Sequence, residues 1–291
     1  MRTLSPGLFW GFLGVLAFSF TVPLTRVAVE GMSPLFIGSG RAVLAALLAT
    51  IVLVVTRQKL PTARQFRHLV VVGAGVVVGF PYFTSYALET VPAAHAAVVI
   101  GLLPIATAAV AVIRTSERVP SRFWVFATLG AVAAVSFASV AAGEFGHFEW
   151  ADLLLVGAVV TSAIGYSEGA VVSRELGSWQ TISWTLVIWS PVMILMTVVS
   201  VATQPITATP WQWAAFVYLG AVSMYLSFFG WYRGLAIGPI TTVSQVQLIQ
   251  PVLSIVWAAL LLGEVITIDI AVGGAVVIAC AALAVRTRLK L

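Results

Sequence analysis

The sequence predicts an all-α polytopic membrane protein with ten transmembrane helices, built as two inverted five-helix repeats with both termini cytoplasmic. Three observations lead there. First, 60% of the 291 residues are hydrophobic and 9% are charged, against about 25% charged residues in a typical soluble domain. Second, the apolar residues collect in ten runs, each near the roughly 20 residues that a helix needs to cross a bilayer. Third, later runs repeat features of earlier ones at a near-constant spacing. The same composition excludes other classes. So apolar a chain is not disordered, and its single cysteine, Cys280, has no partner for a disulfide framework. The runs are continuous rather than alternating, unlike the strands of an outer-membrane barrel.

The first run, residues 7–24, follows Arg2 and has small residues at Ala17 and Ser19. A cleaved signal peptide is the competing reading, but cleavage would leave nine spans and break the charge pattern below. The second run, 34–55, is interrupted by Arg41, and a basic connection, 56–68, leads to the third. There, over 69–88, Tyr82, Ser85 and Tyr86 form a stripe that ends at Glu89. The fourth, 93–113, begins near His95 and contains Pro104; the fifth is 123–142. The sixth, 150–172, holds Glu168 and the pair Gly165 and Gly169, whose spacing matches that of Gly75 and Gly79 and favours close helix packing. The seventh is 182–202, and the eighth, 211–231, places Tyr218, Tyr225, Phe229 and Tyr232 on one helical stripe. The ninth is 240–262 and the tenth 268–285. Connections are short, so no soluble domain lies between spans.

Orientation follows from Lys and Arg, which concentrate in short cytoplasmic loops. With the N-terminus inside, 13 of the 15 basic residues are cytoplasmic; Arg26 falls outside and Arg41 lies within a span. Acidic residues divide the other way, with Glu30, Glu89, Glu144, Glu149, Asp152, Glu264 and Asp269 at outer ends. The net charge of +5 is thereby explained by topology, and nucleic-acid binding is not expected. The expected location is a bacterial-type cytoplasmic (inner) membrane.

The repeat is visible at an offset of 147 residues, where Pro92 meets Pro239, Pro104 meets Pro251 and Glu117 meets Glu264. It divides the chain into residues 1–145 and 146–291. Five spans per copy is odd, so the second copy enters the membrane upside down. Such inverted repeats characterise secondary transporters, which bind substrate near the midplane between two halves.

The segments LLPIATAAVAVIRTSE and IQPVLSIVWAALLLGE each run from a proline through an apolar stretch to a terminal Glu. This pattern resembles the EamA-type repeats of the drug/metabolite transporter superfamily and covers essentially the whole chain. The first copy departs slightly, ending in TSER where the family pattern reads like LGER. The resemblance implies a ten-helix exporter, and the intramembrane Tyr and Trp make the chain most similar to bacterial amino-acid and metabolite exporters.

Polar side chains inside spans are the candidate site residues, since each costs free energy unless it pairs or faces water. Ser244, Gln247, Pro251 and Ser254 share one helical face, with Gln250 at its edge; the face either lines a cavity or bonds between helices. Gln245 points elsewhere. Tyr82 and Tyr225 are deep enough to need partners for their hydroxyls. Arg41 either snorkels outward or holds a substrate carboxylate. Glu168 reaches the cytoplasmic interface, pairs with Arg174 or takes up a proton. His95 is a proton carrier or, more commonly for a lone histidine, structural. Pro104 and Pro251, each interrupting a helical hydrogen bond within its span, suit a gate, although kinks are also static.

Enzymatic readings fare badly. His68, His95 and His147 do not converge on one metal, and no Walker A, HExxH or GxSxG motif occurs. No cofactor is expected. The reading is a monomeric exporter of amino acids, possible apolar or aromatic ones among them, and of related small metabolites. Export of drugs or other hydrophobic metabolites is the alternative, with a membrane sensor behind it.

Overall fold

The structure, a computed structural model, describes residues 5–91, 93–142 and 150–262, with scattered positions from 268 to 283. The connection 143–149 and most of the tenth run lie outside the described residues. Among the described residues every regular element is helical. Seven helices are long and apolar enough to cross a membrane: Pro6–Val29, Pro34–Val55, Ala63–Thr90, Trp150–Leu176, Ser178–Thr203, Pro210–Ile237 and Ile240–Leu261. Leu103–Thr115 and Ser121–Ala133 are shorter apolar stretches. The chain is a polytopic helical membrane protein.

Four of the seven long helices are not regular throughout. The first divides into α1 (Pro6–Phe18) and α2 (Thr21–Val29), separated at Ser19 and Phe20. After α3 (Pro34–Val55), α4 (Ala63–Gly73) passes through a π segment, Ala74–Gly79, into α5 (Phe80–Thr90). The fourth run is two helices, α6 (Ala93–Ile100) and α7 (Leu103–Thr115). Then α8 (Ser121–Ala142), α9 (Trp150–Leu176) and α10 (Ser178–Thr203) are continuous. Next, α11 (Pro210–Tyr218) enters a second π segment, Leu219–Leu226, before α12 (Ser227–Ile237). Finally α13 (Ile240–Ser244) tightens to a 3-10 turn, Gln245–Ile249, before α14 (Gln250–Leu262).

These irregularities recur. Thr62 and Gln65 form a capping box on α4, and Thr209 and Gln212 form another on α11, 147 positions on. At the same spacing α5 and α12 begin at Phe80 and Ser227, and α7 and α14 at Leu103 and Gln250. The prolines differ from expectation. Pro104 and Pro251 do not interrupt a continuous helix; each occupies the first turn of a restarted one. A proline is tolerated there because the first N–H groups of a helix have no intrahelical acceptor.

Helix packing rests on small residues. A Cβ on Gly234 would lie 2.6 Å from the Gly11 nitrogen, and one on Gly230 2.9 Å from the Trp10 carbonyl, so α1 and α12 meet backbone to backbone. Gly75 and Gly165 bring the first π segment against α9 in the same way, since a Cβ on Gly75 would come 2.3 Å from the Thr161 carbonyl. Such approaches stabilise helices in lipid, where dispersion rather than water exclusion drives association.

Candidate functional site

The irregular segments converge on one small cavity. Phe18 and Thr21, which flank the α1/α2 break, form one wall. Val76 comes from the first π segment, Phe80 and Pro81 from the start of α5, and Leu103 from the start of α7. Ser223 and Met224 of the second π segment, Phe228 of α12 and Gln250 of α14 face them. Arg41, Ser162 and Tyr166 complete the lining from the continuous helices α3 and α9. A second small cavity shares Leu103 and Gln250 and is also lined by Gln247, Pro251 and Ser254. Backbone that departs from the α-helix is tolerated at membrane depth only where it is buried in protein or faces a cavity.

Some of the unpartnered buried polar groups line these cavities. Arg41 is 1% exposed, and its Nε and Nη2 have no hydrogen-bond partner. No acidic side chain among the described residues pairs with it. Ser162 Oγ and both amide atoms of Gln247 likewise lack partners, with the Tyr166 hydroxyl facing Gln247. Buried polar groups in native proteins are nearly all satisfied, so exceptions that line a cavity mark a place for water or a ligand. Other polar groups at or beside the cavities are committed to structure. Thr21 Oγ1 and Ser223 Oγ lie 2.7 Å apart, the Ser254 hydroxyl donates to the Ser19 carbonyl at 2.8 Å, and Trp257 Nε1 donates to Ser19 Oγ at 2.7 Å. The Ser254 bond satisfies a backbone carbonyl at the break in the first span.

A model of the EamA-like transporter family matches residues 5–139 and again residues 149–286. The chain belongs to the EamA-like transporter family. It is 40% identical over 284 residues to the uncharacterized transporter YdeK of Bacillus subtilis (strain 168), covering 95% of this chain and 96% of that one. It is 25% identical over 273 residues to a probable terminal-alkyne amino-acid exporter of Streptantibioticus cattleyicolor, covering 92% of this chain and 89% of that one. A crystal structure 20% identical to it superposes with a TM-score of 0.76 over 96% of this chain and 97% of that chain, a likeness of fold. The family is one of membrane transporters, which sets a bilayer and a small-molecule substrate as the context of the cavity.

In this EamA-like transporter the residues singled out from the sequence fall into three groups. Arg41, Gln247, Gln250 and Pro251 line the cavities, and Arg41 does not snorkel. Tyr82, Tyr225 and Ser244 do not line either one. Tyr82 packs against Gly38, Tyr225 is 3.0 Å from the Ser183 hydroxyl, and Ser244 donates to the Thr241 carbonyl. The π segment explains the tyrosines of the eighth span: it rotates the face partway along, so the assumed stripe does not exist. Tyr218 donates to Ala17, Tyr232 donates to Gly165, and Tyr225 meets Ser183, on three different neighbours. The remaining residues lie outside the cavities or outside the described side chains. Glu168 is met by Arg114 rather than Arg174, with Nε donating at 2.5 Å and Nη2 at 3.1 Å, and by His68. Arg174 donates instead to the Ala236 carbonyl. The side chain of His95 is not among those described.

Sequence reasoning missed Tyr166, whose ring meets Phe18, Phe228 and Trp231. The signal was the pair Ser162 and Tyr166, one helical turn apart within the sixth span. It also missed a carboxylate role: Glu117 accepts from the Ile240 and Thr241 nitrogens at 3.0 and 3.3 Å and from Thr241 Oγ1 at 2.7 Å, capping α13.

Proposed function

We propose that this EamA-like transporter is a secondary exporter of amino acids and similar small carboxylate-bearing metabolites, working by alternating access. The proposal includes ten spans, two inverted repeats at residues 1–145 and 146–291, cytoplasmic termini, an inner-membrane location and a monomeric working unit. One observation carries the substrate side of it: a buried, unpaired Arg41 in an aromatic-walled cavity. A guanidinium recognises a carboxylate through two parallel hydrogen bonds. In this reading Arg41 holds the carboxylate, Gln247 and Gln250 the other polar groups, and the rings of Phe18, Phe80 and Phe228 the apolar body. Tyr82 supports Arg41 from the side, since it packs one turn away on α3. The match of a probable amino-acid exporter along 92% of this chain supports the same reading.

The mechanical side rests on the paired irregularities. In transporters built from repeats, discontinuous helices form the central site and one repeat or bundle moves against the other around it. Pro104 and Pro251, at equivalent restarts, mark where the halves of the fourth and ninth spans would bend. Counterflow in proteoliposomes loaded with single amino acids tests the proposal. Accelerated exchange is expected with at least one apolar or aromatic amino acid or its carboxylate relatives. Exchange confined to a lipophilic cation would refute the carboxylate reading, and binding without any flux would refute transport.

A further inference from the structure

We propose that α7 and α13 swing together as the cytoplasmic gate of this transporter, and that Glu168 is the catch that holds the gate shut. The inference rests on the alternating-access reading, with cytoplasmic termini, and gives that reading its moving parts. Each of the two helices is one half of a broken span, the half on the side assigned to the cytoplasm. Each meets the cavities at its inner end: α7 begins at Leu103, a lining residue, and α13 runs through the 3-10 turn to Gln247 and Gln250. Element ends of this kind are where hinges absorb backbone rotation. The two half-helices are also joined to each other twice. At the cavity, Gln245 Nε2 donates to the Pro104 carbonyl at 3.3 Å. At the far end, Ser116 takes a left-handed conformation that ends α7, and Glu117 next to it accepts from the Ile240 and Thr241 nitrogens and from Thr241 Oγ1 at the start of α13.

The continuous helix α9 holds this pair from outside. Its Glu168 takes two hydrogen bonds from Arg114, near the far end of α7, in the fork geometry that makes guanidinium pairs strong. Arg114 stands 11 residues beyond Leu103, about 16 Å along the axis. A tilt of about 10° at the break therefore moves Arg114 roughly 3 Å, enough to part the two side chains. The contact is also one that can be released. The Arg114 side chain is 39% exposed, so water replaces the carboxylate when the gate swings. Glu168 is buried, at 9% exposure, and a buried carboxylate that loses its partner is costly. His68 meets that difficulty: it bonds the same carboxylate from α4, outside the gate, and stays there after Arg114 leaves.

Sided thiol labelling of the full chain tests the gate without any substrate. The chain has one cysteine, Cys280; Cys280→Ser with Ser162→Cys places the reporter in the cavity wall. A membrane-impermeant methanethiosulfonate is applied to inside-out and to right-side-out vesicles. Glu168→Gln and Arg114→Gln are each expected to speed labelling from the cytoplasmic face at least threefold and to slow it from the outer face. Arg114 is partly exposed, so its variant remains readable if Glu168→Gln folds poorly. The double variant should label no faster than either single one, because both remove the same contact. His68→Ala should act in the opposite sense, slowing cytoplasmic labelling, since the open gate then leaves Glu168 bare. Glu175→Gln removes the exposed 4.0 Å contact with Arg64, which does not involve α7 or α13, and should change neither rate. Unchanged rates, equal changes on both faces, multiplied effects in the double variant, or faster cytoplasmic labelling in the His68 variant would overturn the gate. Counterflow tests the exporter reading separately, so that reading can survive such a result, whereas gating without flux of any solute would overturn the exporter and leave the gate.

Discussion

Arg41→Met is the most informative perturbation because it should move binding and stability in opposite directions. Arg41 is buried and two of its nitrogens are unpartnered. A hydrogen bond to a charged group contributes about 1.5–3 kcal/mol, so losing the carboxylate contact should weaken substrate binding by roughly 10- to 150-fold. In the empty protein the same guanidinium is a liability. Placing Arg at the centre of a membrane helix costs about 2.5–3.5 kcal/mol on insertion scales, and Met fills the space of the stem without a charge. The substrate-free variant should therefore unfold at a higher temperature than the parent protein, yet gain no stabilisation from ligand. Thermal unfolding of purified protein with and without ligand, beside counterflow in liposomes, reads both effects. A variant that is less stable when empty, or that still transports at the parent rate, would refute the argument, because Arg41 would then be either a structural group or irrelevant to the substrate.

Further perturbations test the framework around the cavity. Glu117→Ala removes the carboxylate that caps α13; stability should fall by about 1–2 kcal/mol, the usual size of a lost N-cap, measured by thermal unfolding. Gly234→Leu forces a side chain onto the Gly11 backbone and should lower stability by about 1–3 kcal/mol or more, seen as loss of a monodisperse peak on size exclusion. Pro251→Ala adds an N–H at the first turn of α14 and should slow flux severalfold with binding unchanged; unaltered flux would argue against bending at this point. Glu168→Gln breaks the tie among α4, α7 and α9 and should lower the unfolding temperature. If transport in an imposed pH gradient then responds as in the parent protein, Glu168 is a structural ion-pair partner and not a proton carrier.

Several of these sites were legible from residue pattern alone, and others were not. Gln247 and Gln250 stood out because amides are rare in lipid, and both line cavities. The tyrosine stripe of the eighth span did not survive, since helical periodicity assumes a constant turn and Leu219–Leu226 is a π segment. Phe18, Phe80 and Phe228 carried no signal, because a cavity-lining Phe and a core Phe have the same composition and spacing. For Glu168 the sequence offered the cytoplasmic interface, a pair with Arg174 on the same helix or proton uptake; Arg114 reaches it instead, from a residue 54 positions away.

Composition and the placement of apolar runs alone determined that this chain is a polytopic helical membrane protein, because the bilayer demands long apolar helices whatever their partners. The spacing of prolines and glutamates also marked equivalent positions of the two repeats, but not that helices restart there. Only the tertiary structure decided which face of each helix looks inward. Breaks and π segments re-aim side chains by a fraction of a turn, which takes Tyr225 to Ser183, whereas the packing of neighbours around the continuous α3 leaves Arg41 without a partner in the cavity.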